Sequence, residues 1–153
     1  VFADIRITRE NSVVDDYLDI LLYYSDFRVR LKAGFFVRET NPSYVVHGKK
    51  GSFLKSRGDV QEDELKVGKK PNLTTWGTEK EGQEGLLHTE IDGEIIKEKV
   101  ATLQGNYYDF FDGVYQAIVN DKSEPVTAQD GVNVMRIIEA TIQSNEQKKV
   151  IDL

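Results

Sequence analysis

Residues 1–8 alternate in polarity, with Val1, Ala3, Ile5 and Ile7 on one side and Phe2, Asp4, Arg6 and Thr8 on the other. A period of two predicts a half-buried strand. Arg9-Glu10-Asn11-Ser12 reads as a turn, and Tyr17 to Tyr24 as a second strand. After Ser25-Asp26 the alternation resumes over Phe27 to Val37, with Arg28, Arg30 and Lys32 opposite Phe27, Val29, Leu31 and Ala33. Asn41-Pro42-Ser43 breaks it. Ser43 to Lys55 reads as two short strands around Gly48-Lys49-Lys50-Gly51, a hairpin signal. Gly85 to Val100 is a second hairpin, turning on Asp92-Gly93.

The period then changes. Tyr107, Phe110, Phe111, Val114, Tyr115 and Ile118 recur at helical spacing and predict a helix over 106–120. A second helix follows Pro125, with Thr127 and Asp130 as a capping box. Its predicted buried stripe is Val134, Ile137, Ile138, Thr141 and Ile142; residues 144–148 end it, and 149–153 read as a closing strand. Between the hairpins, residues 56–84 are polar and punctuated by Gly58, Gly68, Pro71 and Gly77, with at most two helical turns over Gln61 to Lys66. A segment of that length and texture is read as an ordered functional loop.

Strands first and helices last predict a single α+β domain over residues 1–153: a large, mostly antiparallel open sheet with two C-terminal helices packed on one face. Leu18, Ile20, Leu21, Leu22, Phe35, Phe36 and Val37 supply more apolar surface than two helices can cover. The other sheet face is therefore expected to pair with a second copy as a homodimer.

Composition narrows the partners. Net charge is −6, which disfavours nucleic acid and acidic membrane surfaces. No cysteine is present, so disulfides, thiolate metal sites and a cysteine nucleophile are excluded; a cytoplasmic location is expected. No apolar run reaches membrane-spanning length. Val1 stands in place of a methionine and strand pattern starts at once, so the sequence is expected to begin inside a longer protein.

Few side chains suggest chemistry. His47 sits in a strand pattern and His88 in the second hairpin, without acidic or histidine partners at metal-ligand spacing, so no metal site is expected. Gly48-Lys49-Lys50-Gly51 lacks the rest of a phosphate loop. Asp15-Asp16 reads as a solvated turn, and Lys69-Lys70 and residues 79–84 as solvated charge. The stripe of Tyr107, Phe110, Phe111 and Tyr115 reads as core rather than ligand lining. Trp76 stands alone in the polar loop: either it pins the loop or it faces a pocket. It is the leading pocket candidate, with Lys55 and Asp59 behind it.

Gly48-Lys49-Lys50-Gly51-Ser52-Phe53-Leu54-Lys55, Asp59-Val60-Gln61-Glu62 through Gly68-Lys69-Lys70-Pro71, and Trp76-Gly77 together resemble the Gfo/Idh/MocA oxidoreductase family, in its scyllo-inositol dehydrogenase-like branch. Asp15-Asp16-Tyr17, Gly105-Asn106-Tyr107, Tyr115-Gln116-Ala117-Ile118, Pro125-Val126-Thr127 and Ile137-Ile138-Glu139-Ala140 fit the same pattern. The resemblance spans essentially the whole chain. It implies a C-terminal domain, of the dihydrodipicolinate reductase/glyceraldehyde-3-phosphate dehydrogenase-like type, from an enzyme whose N-terminal Rossmann domain binds NAD or NADP. It further implies a parent acting on a sugar or polyol hydroxyl, with this chain giving the substrate-side wall and a dimer interface. The family's Glu-Lys-Pro and Asp-x-x-x-His motifs and any Gly-x-Gly-x-x-Gly are absent from this sequence, so no catalytic and no cofactor-binding residue carries over. The competing reading is a non-catalytic α+β dimerisation or ligand-binding module.

Overall fold

A computed structural model describes residues 1–56 and 59–153, so Gly58 lies outside the described residues. In chain order the elements are β1 (Phe2–Arg6), β2 (Tyr17–Tyr23), β3 (Arg28–Gly34), β4 (Tyr44–His47), β5 (Gly51–Lys55), α1 (Gln61–Lys66), β6 (Gly85–Ile91), β7 (Glu94–Val100), α2 (Tyr107–Asn120) and α3 (Ala128–Gln147). The class is α+β, and every strand pairing is antiparallel. Hydrogen bonding divides the strands into a three-stranded sheet, β1-β2-β3, and a four-stranded one, β4-β5-β6-β7. The chain correspondingly forms two units, Val1–Glu39 with Glu124–Leu153, and Thr40–Ser123.

In the first unit, α3 packs on β1. The alternation that runs from Val1 into β1 turns Val1 and Ala3 inward, where they are buried. Val1, Leu22 and Ala140 form the core, flanked by Ile20, Val29, Ile137 and Ile151. The buried face of α3 is Ala140, Thr141 and Ser144, with Ile137 half-buried. The predicted stripe is thus turned: Val134, Ile138 and Ile142 are exposed. Small side chains win the inner face because β1 approaches closely enough for main-chain bonding. Ser144 Oγ accepts from Ala3 N at 2.9 Å and Asn145 Oδ1 from Ile5 N at 2.9 Å. These bonds cover the outer edge of β1, which otherwise offers unpaired amides to any passing strand. The capping box at Thr127 and Asp130 forms as the spacing predicts.

Two strand expectations are corrected here. The third strand ends at Gly34 rather than Val37, because Phe35 N turns back to Asp16 O at 2.9 Å and Val37 N to Phe35 O at 3.0 Å. Residues 149–153 do not form a ladder. Val1 and Ile151 exchange one reciprocal pair of bonds, 2.6 and 2.8 Å, and the next outward amides of β1 are already taken by α3.

In the second unit, Gly48 N closes the first hairpin on Gly51 O at 2.8 Å. Asp92 and Gly93 carry φ of 51° and 85°, the left-handed pair that two-residue hairpins need. The aromatic stripe of α2 is not core within this chain. Tyr107, Phe110, Phe111 and Tyr115 are 37–64% exposed, and no residue of α2 is buried. Periodicity reports which face of a helix is apolar; it does not say that the surface covering that face lies in the same residues.

Candidate substrate-side site

The polar stretch after β5 is held at two places. The first is a node around Gln61, the opening residue of α1, which is 2% exposed. Its Oε1 accepts from Trp76 Nε1 at 3.0 Å and from Tyr107 N at 2.9 Å. Asp59 Oδ1 accepts from Gln61 N at 3.0 Å and from Gln61 Nε2 at 3.2 Å. One buried amide therefore ties α1, the Trp76 loop and the start of α2. Gln104 Nε2 donates to Trp76 O at 2.6 Å and Gly105 N to Gly77 O at 3.1 Å. Gly77 has φ of 75°, and a Cβ there would lie 1.9 Å from Gly105 O, so only glycine permits this approach.

The second is an ion pair at the end of β5. Lys55 Nζ donates to Glu79 Oε2 and to Gln83 O, and the two charged side chains are 6% and 9% exposed. Thr102 gives Glu79 both its N–H and its hydroxyl, each at 2.7 Å. The Lys55 ammonium, with those two donors, holds the Glu79 carboxyl down to about 2. Against the expectation of solvated charge, Glu79 is a half-buried partner of Lys55, because its segment folds back onto β5. Asp16 is corrected in the same sense. Its side chain is 5% exposed and bonded to Thr8 N and Oγ1 and to Arg9 N and Nε, which keeps its carboxyl well below the usual carboxylate range.

The structure thus joins two of the three pocket candidates, Trp76 and Asp59, through Gln61. Lys55 stands with Glu79 in a separate contact. Trp76 is 3% exposed and its one polar atom is bonded inside the unit, which is the geometry of an anchor. Gln61 gave no sign in the pattern, since it opens a run of acidic residues that reads as a solvated helix turn.

What these anchors support is a shallow cleft of about 160 Å³ lined by Asn72, Leu73, Gln104, Asn106 and Asp109. Asn72 Oδ1 accepts from Thr74 N and Thr75 N at 3.0 and 2.8 Å and from both threonine hydroxyls. Asn106 caps α2 by accepting from Tyr108 N at 3.0 Å, and its Nδ2 donates to Asp109 Oδ1 at 2.7 Å. The lining is rich in amides and carries one carboxylate. Both histidines lie elsewhere on exposed positions, His47 with Nδ1 2.8 Å from Ser52 Oγ. Among the described residues no three His, Cys, Asp or Glu side chains are grouped to hold a metal. Among those residues, too, no helix is long and apolar enough to cross a membrane.

The chain is similar to known proteins over nearly its whole length. The model of the oxidoreductase family C-terminal alpha/beta domain, Gfo/Idh/MocA, matches residues 3–153. Scyllo-inositol 2-dehydrogenase (NADP(+)) IolW of Bacillus subtilis is 35% identical over all of this chain, which spans 43% of its length. The uncharacterized oxidoreductase YdgJ of Escherichia coli is 30% identical over 99% of this chain and 43% of its own. The solved structure of the oxidoreductase YvaA from Bacillus subtilis superposes with a TM-score of 0.94 at 34% identity, covering 99% of this chain and 44% of that one. An oxidoreductase from Bacteroides fragilis gives 0.91 at 40% identity, covering 99% and 46%. The chain spans less than half the length of these relatives. It belongs to the Gfo/Idh/MocA oxidoreductase family and corresponds to that family's C-terminal alpha/beta domain.

Proposed function

We propose that this chain is the substrate-side domain of an NAD(P)-dependent dehydrogenase that acts on a hydroxyl carbon of a polyol, with cyclitols such as inositol as the first class to test. The observation that carries this is the 35% identity, across every residue of the chain, to a protein named as an NADP-dependent scyllo-inositol 2-dehydrogenase. In this reading the nicotinamide accepts the hydride, and the protein binds, orients and shields. The cofactor is held outside these residues. The described residues 59–84, between β5 and β6, form the wall facing the polyol. Trp76, Lys55 and Asp59 set the shape of that wall from beneath, Trp76 and Asp59 through Gln61 and Lys55 through Glu79.

The same reading includes a homodimer through a sheet face. It is supported by apolar side chains that the chain leaves uncovered, Leu31, Phe35 and Phe36 in the first unit and Tyr44, Val45, Val46 and Ile95 in the second.

The test is turnover by the full-length protein. Reduction of NADP+ or NAD+ is followed with scyllo-inositol, myo-inositol, sorbitol and glucose, and with simple alcohols as controls. Saturable turnover on at least one polyol and none on simple alcohols is the expected result. No turnover on any polyol with either nucleotide ends the proposal.

A further inference from the structure

We propose that the cleft at Asn72, Leu73, Gln104, Asn106 and Asp109 binds a neutral polyhydroxylated ligand through a pair of adjacent hydroxyls. This deepens the polyol reading and rests on it for the class of ligand.

The argument turns on which end of each side chain remains for a ligand. Asn72 Oδ1 already takes two amide donors, so Nδ2 remains as a donor. Gln104 Nε2 is held by Trp76 O, so Oε1 remains as an acceptor. Asp109 Oδ1 is held by Asn106 Nδ2, so Oδ2 remains as a second acceptor. The internal bonds fix the amide orientations, and the result is one donor and two acceptors around one cleft. A hydroxyl donates once and accepts as well, so two neighbouring hydroxyls match this set, donating to Gln104 and Asp109 and accepting from Asn72. Leu73, 82% exposed at the rim, offers an apolar surface to the C–H face of a ring. Among the described residues the one ionised lining group is the Asp109 carboxylate, which repels sugar acids and phosphates. The cleft is also preorganised. Gln61 and the Gly77–Gly105 contact fix its two sides before any ligand arrives, which lowers the ordering cost of binding.

The test is calorimetric titration of the full-length protein, without nicotinamide, using myo-inositol and sorbitol as probes and glucuronate and cyclohexanol as controls. Two variants are compared. Asp109→Asn removes the charged acceptor, and Leu73→Glu places a charge at an exposed rim position that no core needs. Each is expected to weaken polyol binding roughly tenfold, the loss typical of one charge-assisted hydrogen bond or of a blocked rim. Glucuronate and cyclohexanol should bind at least that much more weakly than myo-inositol. Equal affinity in the wild type and both variants overturns the proposal, as does glucuronate binding as tightly as myo-inositol. The failures are separable. Lost binding in both variants without any turnover sustains the cleft and ends the dehydrogenase reading. Turnover with unchanged affinity does the reverse.

Discussion

Gln61 shows how much one buried amide organises. With leucine in its place, Trp76 Nε1–H and Tyr107 N lose their acceptor while the indole stays buried. Each orphaned donor costs about 1–3 kcal/mol, so Gln61→Leu is expected to destabilise by about 2–4 kcal/mol in urea unfolding. A loss below roughly 0.5 kcal/mol contradicts the node. Glu79 gives a pH prediction with a definite sign. Its folded value, about 2, lies below the ordinary 4.5, so the unfolded chain takes up the proton first. The stabilisation from the Lys55–Glu79–Thr102 contact is complete above pH 4.5 and is lost as pH falls toward 2. The urea midpoint of the wild type should fall more across that window than that of Glu79→Gln, and parallel curves contradict the assignment. At this scale the sequence was legible in part. Trp76 stood out because no core pattern demanded it in a polar loop. Gln61 and Glu79 did not, because a lone polar residue looks the same whether the fold turns it inward or outward.

At the scale of elements, both hairpins, the helices and the capping box were legible, since alternation, Asp-Gly and the Thr127–Asp130 spacing are local signals. The end of β3 and the closing residues were not, because a long-range bond from Phe35 N to Asp16 O, or from Ala3 N to Ser144 Oγ, leaves no local trace. Two predictions follow from such contacts. Ser144→Ala strips the acceptor from Ala3 N and the donor from Lys149 O at a fully buried position. Hydrogen exchange at Ala3 should accelerate roughly tenfold or more, in line with a local cost of about 1–3 kcal/mol; unchanged protection contradicts the view that α3 seals this edge. Gly77→Ala should be far worse than Gly68→Ala. Both have φ of 75°, which costs an alanine about 1–2 kcal/mol. Gly68 has open space around the added carbon, whereas Gly77 would drive it into Gly105 O. Equal melting temperatures for the two variants would show that the Gly77–Gly105 approach is not needed.

Each unit leaves large apolar side chains uncovered, Leu31, Phe35 and Phe36 in the first and the α2 aromatics with Val45 and Val46 in the second. Of the apolar positions that the sequence pattern sets against a second copy, Phe35, Phe36 and Val37 are exposed and Leu22 is buried, while the exposed α2 stripe is one that the same pattern assigns to the core. In the full-length protein, light scattering is expected to give twice the monomer mass, and a monomer at high concentration counts against the dimer. The central claim is that the parent moves a hydride between a polyol carbon and a nicotinamide, with this chain on the polyol side. It is tested most directly by incubating the full-length protein with NADP+ and myo-inositol deuterated at its ring carbons, then weighing the reduced nucleotide by mass spectrometry. The account predicts one deuterium in the nicotinamide ring and none when the polyol is unlabelled. Polyol oxidation that leaves the nucleotide unlabelled, or no reduced nucleotide with any polyol tried, contradicts it.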